Sequence, residues 1–169
     1  MKILIAPDIR LNRVSKKVDI IDEKITTILD EMLDCMYKNN GIGLAAPQVG
    51  ILKRLVVIDC SDNDAKKKPL KFINPEIISF SEEIAEFEEG CLSLPKQYAK
   101  VKRPASVKVK YQNISGAFCE SNFLGLEATC IQHEIDHLDG RLFVDHVSKL
   151  RRNIIINKLI KLKKNIKYE

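Results

Sequence analysis

The chain of 169 residues has no tryptophan, and phenylalanine and tyrosine together make up 6% of it. Long apolar runs are also missing: the longest uncharged ones, such as Leu55-Val-Val-Ile58 and Ile154-Ile-Ile156, fall far short of the roughly 18 residues that a membrane-spanning helix needs. No membrane span is expected. In Met1-Lys-Ile-Leu-Ile-Ala-Pro-Asp8 the apolar stretch is broken by Pro7 and Asp8 before it reaches the length of a signal-peptide core, so the protein is expected to stay where it is made. The five cysteines, Cys35, Cys60, Cys91, Cys119 and Cys130, include no C-x-x-C pair, and their number is odd. A disulfide framework is therefore excluded, and reduced thiols in a cytosol-like compartment are expected. Seven glycines and six prolines are too few for a collagen-like or mucin-like chain. We find no internal repeat.

What is present fits one ordinary folded domain, with 45% hydrophobic and 30% charged residues. The net charge of +5 is unevenly spread. Residues 147–169 hold eight Lys/Arg against one acid, whereas residues 1–146 are slightly acidic. Basic character belongs to the tail, so any nucleic-acid-facing role would be the tail's own.

Hydrophobic periodicity predicts a helix from about Asp22 to Lys38, with Ile25, Ile28, Leu29, Met32, Leu33 and Met36 on one face. Asp19 or Asp22 is its candidate cap, and Asn39-Asn40-Gly41 its stop. Strands are predicted at Lys53–Asp59, Leu70–Ile73, Glu76–Phe80 and Ser106–Gln112, the last turning through Asn113–Gly116 into a hairpin. Ser61–Lys68 reads as a surface loop. Helix returns from Leu124 to about Leu138, and a last helix is predicted from Val147 to Lys164, its apolar face formed by Leu150, Ile154, Leu159 and Ile160. On that helix Lys149, Arg151, Arg152, Lys158, Lys161, Lys163, Lys164 and Lys167 would form a basic exterior. Strands clustered between helices indicate an α+β fold, with antiparallel sheets packed around a central helix and a helix at either end. Residues 1–146 would be the catalytic unit, and 147–169 a basic amphipathic helix packed on the same domain.

Three segments carry chemistry. In Gln132-His-Glu-Ile-Asp-His-Leu-Asp-Gly140 the two histidines stand four apart, so on a helix they differ by about 40° in direction and can share one metal ion. Glu134 beside them is placed to handle the proton of a water. The third histidine of the extended metzincin pattern is replaced by Phe143, and no attractive ligand follows downstream. Cys91, in Glu89-Gly-Cys-Leu-Ser-Leu-Pro95, is the upstream candidate: a thiolate and two imidazoles leave a coordination position open. The third segment, Gly41-Ile-Gly-Leu-Ala-Ala-Pro-Gln-Val-Gly50, matches a dinucleotide fingerprint in letters but not in context, because a helix precedes it and Pro47 blocks the helix that should follow. It reads as a close-approach loop in which Gly43 admits a ligand to the backbone and Gln48 offers both an amide donor and an acceptor. Leu126, Thr129 and Cys130 lie on the metal-facing side of the helix, and with Ile42 and Leu92 they are the candidate walls of an apolar pocket.

In order and spacing, GIGLAAPQVG at 41–50, EGCLSLP at 89–95 and QHEIDHLDG at 132–140 resemble peptide deformylase, the family that removes the N-formyl group from newly made polypeptides. With the leading helix and the hairpin, the resemblance covers nearly the whole chain. It implies Cys91, His133 and His137 as metal ligands, Glu134 as acid/base, and Gln48 with the Leu92 backbone N–H as oxyanion donors. It further implies Fe2+ as the usual metal, replaceable by Zn2+, Ni2+ or Co2+, and N-formylmethionyl nascent polypeptides as substrate. The setting it implies is the bacterial cytoplasm or an organelle of bacterial descent, with the ribosome as candidate partner of the basic tail. Tyr98 stands where many bacterial relatives carry Arg, so contacts beyond the methionine are expected to differ. Two rivals stay open: a metallopeptidase cleaving internal bonds, and an RNA-binding module using the tail, although the latter lacks stacking aromatics.

Overall fold

The first helix begins at Asp22, whose carboxylate accepts the Ile25 amide at 3.0 Å and so satisfies one of the donors a helix leaves free at its start. It is α1 (Glu23–Lys38), and it ends where Asn40 turns into the left-handed region and the Asn39 amide donates to Cys35 O at 2.8 Å. In the computed structural model residues 1–61 and 66–166 are described, with side chains through residue 163. Ser61–Lys68 therefore lies partly outside the described residues, as do Lys167 and the side chain of Lys164.

After α1 come β1 (Gly43–Ala45), β2 (Leu55–Ile58), β3 (Leu70–Phe80), β4 (Ile84–Cys91), β5 (Leu94–Pro104), β6 (Ser106–Gln112), β7 (Phe118–Leu124), α2 (Gly125–Leu138) and α3 (Lys149–Ile166). The protein is α+β: a five-stranded sheet in the order β1-β2-β3-β6-β7 and a separate β4-β5 hairpin, with every strand pair antiparallel.

Why β2 is a solid apolar run follows from its surroundings. Successive strand residues face opposite ways, and each face of β2 meets a helix: Leu55 and Val57 pack with Leu29, Met32 and Met36 of α1, while Val56 and Ile58 pack with Ala128, Ile131 and Ile135 of α2. All four are buried. A third cluster, with Leu11, Leu94, Val101 and Phe143 at its centre, lies under the hairpin. Ile155 and Leu159 of α3 close it.

Three expectations are corrected. Leu70–Ile73 and Glu76–Phe80 form one strand, because a bulge at Asn74-Pro75 carries the chain through. There Asn74 takes φ +53°, and its side chain clamps Val18, accepting from its N–H at 2.8 Å and donating to its carbonyl at 2.9 Å. The hairpin β4-β5 was not among the predicted strands. In α3, Leu150, Ile154 and Ile160 are exposed, and only Leu159 of the expected face is buried. The true stripe is Ile155, Leu159 and half-buried Leu162, at helical spacing. Three consecutive isoleucines, Ile154–Ile156, left the phase ambiguous.

Candidate metal centre and substrate cleft

Helix α2 carries the histidine motif through the interior: Ile131, His133, Glu134, Ile135 and His137 are all buried. One turn apart, His133 and His137 meet edge to face with ring centroids 4.9 Å apart. Cys91, at the end of β4, brings its Sγ to 3.2 Å from His137 Nε2. One ligand atom each from Cys91, His133 and His137 lies within 4.8 Å of the others. The structure thus brings together the three residues singled out by the sequence.

The hairpin that sequence reasoning missed holds this group in place. Glu89 is buried and takes His133 Nδ1 at 2.9 Å, which turns the other ring nitrogen toward Cys91. Arg103 donates to both Glu89 oxygens, at 2.5 and 3.0 Å, and to Asp136 Oδ2 at 2.8 Å. His146 Nε2 lies 2.7 Å from the same Asp136 oxygen. Burial alone would push the Glu89 carboxyl up, but its bonds with His133 and Arg103 outweigh that and hold it below the usual range. For Arg103 burial acts downward, and the two carboxylates more than reverse it. The signal for Arg103 was its phase: it stands two residues beyond Val101 and four beyond Ala99, on the same inward face of β5. Phe143, the residue that breaks the metzincin pattern, stacks on His133 with the rings 22° from parallel.

Glu134 and His137 each present a buried side-chain atom without a partner among the described residues, Oε2 and Nδ1 respectively. Burial raises the Glu134 carboxyl to about 7, with the neighbouring His133 pulling the other way. A carboxyl group that titrates near neutrality can both take and return a proton. Burial also acts to lower both histidines; at His133 the bonds to Cys91 and Glu89 prevail and lift it well above its ordinary value, whereas His137 stays well below. A thiol and two imidazoles with converging donor atoms fit a divalent transition metal.

The loop ahead of β2 supplies the opposite wall. Gln48 is buried in the short 3-10 turn Ala46–Val49, and its Oε1 is already taken by the Ala45 amide at 2.8 Å. Only its Nε2 is turned to the site, 3.4 Å from Cys91 Sγ and 3.3 Å from Ser93 Oγ. The expectation that Gln48 offers a ligand both donor and acceptor is thereby narrowed to donor. At Gly43 a Cβ would fall 2.5 Å from Glu134 Oε1 and 2.8 Å from Cys130 Sγ, so only glycine lets β1 approach α2 this closely.

These groups open on a cavity of about 940 Å³ lined in part by Ile42, Leu92, Leu126, Thr129 and Cys130, the five expected pocket walls, and by Gly43. Tyr98 stands at its edge, 58% exposed. Its ring also covers Gly90, where a Cβ would meet it at 2.6 Å.

An α+β fold that directs a thiol, two helical imidazoles and a buried carboxyl group into one cleft fits the class of metal-dependent hydrolases. The family model for polypeptide deformylase matches residues 1–153. The peptide deformylase of Zymomonas mobilis is 47% identical over 168 residues, spanning 97% of this chain and 95% of its own. That of Mesorhizobium japonicum is 49% identical over 163 residues, spanning 96% and 93%. The crystal structure of peptide deformylase from Ehrlichia chaffeensis superposes with a TM-score of 0.92 at 36% identity, covering 98% of this chain and 97% of that one. The chain belongs to the polypeptide deformylase family, and it is a hydrolase that removes the N-formyl group from nascent polypeptides. These relatives do not favour the metallopeptidase reading. No helix among the described residues is long and apolar enough to cross a membrane.

Proposed function

We propose that Cys91, His133 and His137 hold one divalent metal ion, Fe2+ in the cell, and that Glu134 is the proton carrier of the deformylation. The observation that supports this most strongly is the convergence of three ligand atoms within 4.8 Å beside an unpartnered, buried carboxyl group. When bound, the ion supplies Lewis acidity to the water and to the formyl oxygen. Glu134 takes a proton from the attacking water and returns it to the departing amine nitrogen. Gln48 Nε2 and the Leu92 N–H stabilise the negative charge that develops on the formyl oxygen. Glu89 and Arg103 keep the His133 ring oriented. Ile42, Gly43, Leu126, Thr129 and Cys130 receive the methionine side chain, and Tyr98 meets the residues beyond it.

Residues 1–146 would form the catalytic unit, working in the cytoplasm of a bacterium or in an organelle of bacterial descent, with 147–169 as an appended basic helix that faces the ribosome. The test is release of formate from a short N-formylmethionyl peptide, assayed beside cleavage of the internal bonds of the same peptide. Formate without internal cleavage supports this reading; internal cleavage without formate overturns it.

A further inference from the structure

The two groups assigned to the charge on the formyl oxygen arrive from different sheets. Gln48 stands in the turn after β1, in the five-stranded sheet, and Leu92 follows β4, in the separate hairpin. Among the described residues no strand pairing joins the two sheets, and no backbone hydrogen bond runs directly between residues 46–49 and 91–95. One short segment, Ile3–Ala6, bridges them instead. The Leu4 amide donates to the Gln48 carbonyl at 2.7 Å, and the Ala6 amide donates to the Ser93 carbonyl at 2.9 Å. Its side chains alternate: Leu4 and Ala6 join Cys91 and Leu94 in the cluster under the hairpin, while Ile3 and Ile5 line the cleft. Gln48 Nε2 does reach Ser93 Oγ, but at 3.3 Å, a long bond from the very group whose position has to be set.

We propose that Leu4 and Ala6 are positioning residues, whose amides tie the Gln48 turn to the hairpin and so set the separation between Gln48 Nε2 and the Leu92 N–H. This rests on the reading of those two groups as the oxyanion donors. Such donors act only when held about 2.7–3.1 Å from the place the charged oxygen will occupy. An error of about an ångström costs about 10²-fold in rate. Two donors on one sheet would keep their spacing through strand pairing, whereas donors on two sheets need a tie between them. A pair of main-chain bonds is a stiff one, because the groups that make it have no side-chain rotamers to lose. Since the charge develops in the transition state, loosening the tie acts on kcat and leaves KM.

For the test, the full-length, metal-loaded protein is made with Leu4 or Ala6 replaced by its α-hydroxy acid analogue, which exchanges one N–H for an ester oxygen and keeps the side chain. Formate release from a short N-formylmethionyl peptide should show kcat lowered by about 10-fold in each, with KM within about 2-fold of wild type and metal content unchanged. Gln48→Ala alone should lower kcat by about 10²-fold or more. Combined with it, the Leu4 ester should cost less than about 2-fold further, because the donor it positions is gone. Where an ester does not fold, Leu4→Pro measured against Leu4→Ala gives the same comparison, since both lose the leucine side chain and only proline lacks the N–H. Esters that leave kcat unchanged, or that raise KM alone, overturn the proposal. So does a Leu4 ester that costs as much beside Gln48→Ala as in the wild type, the mark of general loosening. Undiminished kcat in Gln48→Ala contradicts the oxyanion reading itself and the tie with it; a slow Gln48→Ala beside fully active esters contradicts only the tie.

Discussion

At position 43 a methyl group would be forced within 2.5 Å of Glu134 Oε1 and 2.8 Å of Cys130 Sγ, both on a buried helix with little room to retreat. Gly43→Ala is therefore expected to lower kcat/KM by about 10²-fold, because displacement of a reacting group by an ångström costs about that much. Its far-ultraviolet circular dichroism should match the wild type. Undiminished turnover would show that Glu134 need not sit where it does. A second residue-scale prediction concerns Tyr37, whose hydroxyl donates to the buried Asp59 carboxylate at 2.7 Å. Burial first, and then Asp59, raise the Tyr37 hydroxyl from 10.0 to about 12. A raised folded-state value favours the protonated form, so its contribution to stability is complete below pH 10 and is lost as pH rises toward 12. Tyr37→Phe should cost about 1.5–3 kcal/mol at neutral pH, measured by urea unfolding, and should lose less stability than the wild type between pH 10 and 12. A parallel decline in both proteins would contradict this assignment. Among single residues, Cys91, Glu134 and the histidines were legible because their chemistry needs those side chains at that spacing. The support that Glu89 gives His133 was not legible, since nothing in a linear pattern says which of the adjacent Glu88 and Glu89 faces inward.

Legibility of the elements followed the same physics. Helices α1 and α2 show the helical period because one stripe of each is buried against the sheet. β2 shows no alternation because a helix covers each of its faces, and its brevity and β-branched composition had to identify it. The β4-β5 hairpin escaped because two of its inward positions are Glu89 and Arg103, which breaks the expected apolar alternation at the place where the site needs charge. For α3 the period was present but its phase was misjudged. The corrected phase is testable by comparing two leucines on one helix. Leu159→Ala, at a position with no exposure, should destabilise by about 2–4 kcal/mol in urea unfolding. Leu150→Ala, at 72% exposure, should stay within about 0.5 kcal/mol of wild type. Equal losses would mean that α3 packs in a different rotation.

Across the whole molecule, the excess of positive charge lies in a different stretch of the chain from the site. The cleft lies between α2, the hairpin and the loop ahead of β2, while the net basic charge belongs to residues 147–169. Not all of them are available to a partner: Arg152 pairs with Asp145 at 2.8 Å, Arg151 donates to the Tyr98 carbonyl at 3.3 Å, and Lys163 donates to the Pro7 carbonyl at 3.3 Å. Lys149, Lys158 and Lys161 remain exposed. Because Ile155 and Leu159 belong to the core, deleting the helix would confuse binding with stability, and reversing the three exposed charges is the cleaner experiment. The triple Lys→Glu protein should keep its turnover of a short formyl peptide, lose co-sedimentation with ribosomes, and show a shallower dependence of binding on salt. Co-sedimentation equal to wild type would leave the tail as a solvated face.

The central claim is that one metal held by Cys91, His133 and His137 works with Glu134 as proton carrier, and Glu134→Gln separates the two parts. Metal content and formate release should be measured on the same preparation of that variant. The account predicts one metal per chain, as in the wild type, with turnover reduced by at least ~10³-fold, since the ligands are intact and only the proton carrier is gone. A metal-replete Glu134→Gln protein that still releases formate at close to the wild-type rate would contradict it.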